Sequence, residues 1–112
     1  MNIKTKNIFD SIPDNLTDEI FEPLIHGKNF KLERIISHGH TSPETGWHDQ
    51  DHDEWIMILK GDAIITFEDK NDVKLIEGSY LNIPAHTKHR VSWTSQKTET
   101  IWLVIHFSGL KT

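Results

Sequence analysis

The stretch EWIMILKGDAIITFEDKNDVKLIEG, residues Glu54 to Gly78, decides the fold. Its apolar residues come in short runs with a period of two. EWIMILK (54–60) meets Gly61-Asp62, AIITFE (63–68) follows, and DKND (69–72) marks a turn into VKLIE and Gly78. The pattern continues on both sides. FKLERIISH (30–38) alternates Phe30, Leu32 and Arg34 against Lys31, Glu33 and Ile35. SYLNI stops at Pro84, HRVSW comes next, and TIWLVIHF (100–107) is the last strong run. β-Branched and aromatic runs separated by turn residues at roughly ten-residue spacing predict an all-β sandwich or barrel. The short connections favour antiparallel hairpins. Thr17 is a plausible helix cap, but Pro23 falls where a helix interior would be. Residues 17–25 are therefore read as a strand leading through His26-Gly27 into the next one.

The chain has 112 residues, enough for one domain with one buried core. It contains no cysteine, so disulfides and thiolate metal sites are excluded, and any metal must take His, Asp, Glu, Gln or water. The formal net charge is −5, with acids and bases interspersed, which argues against nucleic acid as a partner. No run is long and apolar enough for a membrane span or a signal peptide, and a cytoplasmic location is expected. A nucleophilic hydrolase is disfavoured, because there is no cysteine and no Gly-x-Ser-x-Gly stretch; phosphate-loop and dinucleotide glycine patterns are also missing.

GWHDQDHDEWIMILKG (46–61) concentrates imidazoles and carboxylates just ahead of a strand. Residues two apart on a strand share a face. A segment extended from His48 would therefore align His48, Gln50, His52 and Glu54 with the core-facing Ile56 and Ile58. An unpaired carboxylate on such a row costs several kcal/mol, about 3–5. Glu54 needs a metal cation, a basic side chain or an opening to water. Imidazole and carboxylate together suit iron, manganese, nickel, zinc or copper, and two His plus one carboxylate leave positions open for redox or Lewis-acid chemistry. GSYLNIPAHTKHRVSW (78–93) offers the second imidazole, with His86 and His89 flanking the turn after Pro84.

These residues resemble the two motifs of a small single-domain cupin. The first motif has two His one residue apart, a Glu four residues later, then six residues and a Gly. His48, Gln50, Glu54 and Gly61 stand at that spacing. The second runs Gly, five residues, Pro, one residue, usually Gly, two residues, His, which Gly78, Pro84, His86 and His89 follow. Gln50 replaces the usual His, His86 fills the small-residue slot, and Trp93 takes the final Asn position. The resemblance implies an antiparallel double-stranded jelly-roll β-barrel of six to eight strands with a divalent transition metal, iron, nickel, manganese or zinc, near its mouth. It implies His48, Gln50, Glu54 and His89 as metal ligands and Glu54 as a possible base. A weaker neutral amide at Gln50 shifts preference toward iron or nickel over tight zinc, and His52 replaces it if the backbone bulges. Residues 1–28 are expected to form an extension that pairs with the barrel or with a partner subunit, and a homodimer is expected.

His52, His86, Trp47, Trp93 and His106 are candidates for supporting the ligands or lining a pocket, although packing or surface roles explain each of them as simply. Asp49, Asp51 and Asp53 alternate with the proposed row and are expected to face water. Trp55 and Trp102 are assigned to packing, and Arg90 should point away from His89. Three functions remain open: a metal-dependent dioxygenase, isomerase or decarboxylase acting on a small organic molecule; a non-catalytic sensor or carrier of a small ligand; or a plain dimer-forming barrel.

Overall fold

The computed structural model describes residues 2–109. Eight strands follow in order: β1 (Ile20–Gly27), β2 (Phe30–Ser37), β3 (Asp53–Lys60), β4 (Ala63–Phe67), β5 (Asp72–Leu75), β6 (Tyr80–Ile83), β7 (His89–Thr94) and β8 (Thr100–Phe107). Among the described residues there is no helix, and so none long and apolar enough to cross a membrane. All pairings are antiparallel. They form a five-stranded sheet, β1-β2-β8-β3-β6, and a three-stranded sheet, β5-β4-β7. The all-β antiparallel expectation holds. The closed barrel is not seen: among the described residues the strand ladders end at the edges of two separate sheets.

The core fills the space between those sheets. Ile56, Ile58, Ile83, Trp102 and Val104 come from the larger sheet, and Ala63, Ile65 and Leu75 from the smaller. The alternation read in β3 is realised, with Glu54, Ile56 and Ile58 buried between less buried neighbours. Gly61 turns β3 into β4 at φ 82°, and a Cβ there would lie 2.6 Å from the Glu99 carbonyl oxygen, so only glycine fits.

The first strand begins three residues later than Thr17 and passes through His26-Gly27 into a tight hairpin with β2. Pro23 is tolerated because β1 is an edge strand and its register shifts between Pro23 and Ile25. Arg34 points away from the intersheet space yet is only 4% exposed. It donates to the carbonyls of Ile8 (2.9 Å) and Asp10 (2.6 Å) and to the Glu22 carboxylate (3.0 Å), clasping the N-terminal segment to the outside of β2.

Arg34→Met leaves these acceptors without their donor and is expected to lower stability in urea unfolding by about 2–3 kcal/mol. A change below about 0.5 kcal/mol would show that the clasp contributes little. Glu99, before β8, titrates below the ordinary carboxylate value, first through a hydrogen bond from its own backbone amide and then through Lys60, 3.2 Å away. Its folded-state pKa is depressed, so its contribution is present above the ordinary value of 4.5 and is lost as pH falls through the folded value. Glu99→Gln should therefore flatten the acid limb of a stability–pH curve below 4.5; an unchanged limb would remove Glu99 from that account.

Candidate functional site

A cavity of about 330 Å³ opens between the two sheets. Ile35, Ile56, Ile65, Val91, Trp102 and Val104 form its apolar body. His48, Gln50, Glu54 and His89, drawn together in the sequence by spacing, all line it, as does His106.

The two imidazoles are joined through their backbones. His48 and His89 form an isolated antiparallel bridge, with N–H···O distances of 2.8 and 3.2 Å in the two directions. Directly opposed residues project to the same side, and the rings stand 5.8 Å apart between centroids. His89, 5% exposed, donates from Nδ1 to the Thr87 carbonyl at 2.7 Å, which leaves Nε2 as a free donor atom for a ligand. Nε2 of His48 lies 3.2 Å from the Ser42 hydroxyl.

The opposite wall is a row of charge across three strands. Glu54 on β3 pairs in register with His106 on β8, and Glu33 on β2 sits diagonally beside it. His106 donates from Nε2 to Glu33 Oε1 at 2.8 Å, and its Nδ1 lies 3.6 Å from Glu54 Oε2. The carboxylates are 5% and 8% exposed, and the imidazole between them is their shared polar neighbour. Lys31 adds a looser contact to Glu33 at 3.6 Å. Among the described residues, no three His, Cys, Asp or Glu side chains converge closely enough to hold a metal ion.

The single row predicted from His48 to Ile58 is broken. Extended structure begins only at Asp53, and the preceding residues are irregular, with His86 N–H donating to the Gln50 carbonyl at 2.7 Å. His52 consequently turns into a neighbouring cleft with Lys28 and Asp51, where its Nε2 lies 2.9 Å from His106 Nδ1. It does not replace Gln50 in the cavity. Asp53 is not simply water-facing, since it accepts the Ala85 N–H at 2.9 Å. Asp49 meets His86 at 3.1 Å, and Asp51 is exposed. His86 stands at the surface with φ 62°, which explains the family's glycine at this position. Trp47 lies under the Arg90 guanidinium, 5.0 Å from its ring centroid, and Trp93 pairs with Ile64. Neither lines the cavity; its aromatic lining is Trp102 and Phe21. Glu33, Glu19 and Phe21 were not singled out in the sequence. Glu33 could have been, because it shares the row of Ile35 just as Glu54 shares that of Ile56.

A model of the Cupin domain family matches residues 33–106. The chain is a cupin. A solved protein of Ralstonia eutropha JMP134, described as a "putative mannose-6-phosphate isomerase", is 41% identical over 96% of this chain and 100% of its own, with a TM-score of 0.90. A cupin superfamily protein of Desulfitobacterium hafniense DCB-2 is 19% identical, with a TM-score of 0.71 over 88% of this chain and 84% of its own. An RmlC-like cupin of Methanocaldococcus jannaschii with a double-stranded β-helix fold is 17% identical, with a TM-score of 0.67 over 87% and 86%. These last two likenesses concern the fold alone. No curated protein matches the chain.

The charge row should be energetically coupled. In a double-mutant cycle, Glu33→Gln and His106→Ala are expected to show a coupling of about 1–3 kcal/mol in urea unfolding; additivity would contradict the row. His86→Gly should be more stable than His86→Ala by about 1 kcal/mol, because only glycine relieves the left-handed backbone.

Proposed function

We propose that this cupin is a small metal-dependent enzyme that acts on a small organic molecule in the intersheet cavity, by proton transfer of the isomerase type. The supporting observation is that His48, Gln50, Glu54 and His89 face one cavity, in which Glu54 also lies beside His106, itself hydrogen-bonded to Glu33.

His48, Gln50, Glu54 and His89 would hold a divalent transition ion: iron, nickel, manganese or zinc. They fit such an ion in kind, as two imidazoles and two oxygen donors. They fit it in direction at His89, whose Nδ1–H is tied to a carbonyl in the way that fixes a ligating imidazole. Glu54 would complete the set only by turning from His106 toward the imidazole pair. When bound, the ion supplies Lewis-acid polarisation of a ligand oxygen. In the position found here, off the ion and beside His106, Glu54 would instead be the group to take up and return a proton, with Glu33 orienting His106. The description of the Ralstonia relative supports isomerase chemistry over oxygenase chemistry.

A non-catalytic carrier or sensor is favoured by one observation: Glu54 rests against His106, and Gln50 supplies only a neutral amide. Metal content separates the two readings. Protein purified without an affinity tag and reconstituted with each of the four metals should retain one of them stoichiometrically. His89→Ala should lower that affinity by about 10–100-fold. Failure to retain any metal would overturn the enzyme reading and leave the carrier.

A further inference from the structure

The charge of the cavity carries an inference about what enters it. Three carboxylates line it, Glu19, Glu33 and Glu54; no lysine or arginine lines it with them, and Lys31 reaches only Glu33, at 3.6 Å. Glu33 accepts a hydrogen bond from His106, and Glu54 lies 3.6 Å from the same ring. Glu19 is different: its carboxylate accepts the Ser37 hydroxyl at 2.5 Å, and among the described residues it has no ion pair.

The position of Glu19 is fixed through a short chain of bonds. Ser37 is fully buried, donates to Glu19, and accepts the indole N–H of Trp102 at 3.1 Å. Glu19 therefore stands at the Trp102 end of the cavity, where Phe21, 58% exposed, also forms the wall. Ser37 lies four residues beyond Glu33 on β2, which places the two acidic poles about 13 Å apart at 3.3 Å per residue. The apolar residues of the cavity lie between them.

On the reading of this cavity as the ligand site, we propose that its ligand is a small organic cation, an amine with an apolar body, whose ammonium group is held by Glu19 against the aromatic faces of Trp102 and Phe21. A carboxylate without a counter-ion beside aromatic rings attracts a cation and repels an anion. A divalent ion at the opposite pole offsets Glu54 and leaves Glu19 uncompensated. A phosphate group brings a charge of about −1.5 to −2 into this setting. The cavity is therefore set against the sugar phosphate that the Ralstonia description names.

Calorimetric titration of the full chain, with its measured metal content, tests this using hexylamine, 1-hexanol, hexanoate and mannose 6-phosphate. Hexylamine should bind at least about tenfold more tightly than hexanoate or mannose 6-phosphate, a difference of 1.4 kcal/mol or more. Glu19→Gln, which keeps a hydrogen-bond acceptor for Ser37, should lose about fivefold or more in hexylamine affinity and leave hexanol unchanged. Hexylamine binding that is lost in His89→Ala but kept in Glu19→Gln would place the amine on the metal and overturn the proposal. Tighter binding of either anion, or no binding of hexylamine, would also overturn it. In the first of these cases the cavity remains the ligand site and only the substrate class falls. If no probe binds and no metal is retained, the proposed function falls with it.

Discussion

The register of β8 between β2 and β3 is the constraint on which the site depends. β8 pairs with β2 without a break from Phe30–Phe107 to Ser37–Thr100, and with β3 from Asp53–Phe107 onward. That register lines up Glu33, His106 and Glu54 at one end of the cavity face. Farther along the same face come Ile35, Val104, Trp102, Ile56 and Ile58. Side chains alternate faces along a strand, so a slip of one residue would send this whole set to the other side of the sheet. The polar row and the apolar core are thus products of one pairing. His106 makes the row tolerable by standing between two buried acids.

The smaller sheet supplies the other half. β7 starts at His89, and the backbone bridge to His48 brings an irregular segment across the gap so that both imidazoles face the cavity. Sequence and structure meet here in a simple way. Polar residues at the mouth of apolar rows become a pole of donors facing a pole of acids, with an open apolar cavity beside them. Such a volume with few convergent polar groups is the form a small-molecule site takes.

Much of this was legible in the sequence. The period-two runs and their turn residues located β2 to β8, and the motif spacing picked out four residues that all reach the cavity. The failures share a physical cause. The face of a residue was inferred by extending a strand backward, but residues 49–52 are held by distant partners, His86 N–H on the Gln50 carbonyl and Asp49 on His86, and His52 turns out as a result. Trp47 was diverted in the same manner by Arg90, far along the chain. The alternation of β2 puts Glu33 on the row of Ile35, but its partner His106, like the partner Ser37 of Glu19, lies across strand pairings that no local pattern encodes. Arg34 likewise alternates as predicted but is buried by an N-terminal segment without strand periodicity.

The proposed function requires one ion held between His48 and His89 that draws Glu54 to itself. Anomalous diffraction from crystals of the metal-loaded protein, collected at the absorption edge of the bound metal, tests it most directly. The account predicts a single peak within bonding distance of His48, His89 and Glu54, with the Glu54 carboxylate turned away from His106. A peak at His52 and His106 instead, or a peak at His48 and His89 with Glu54 still against His106, would contradict it.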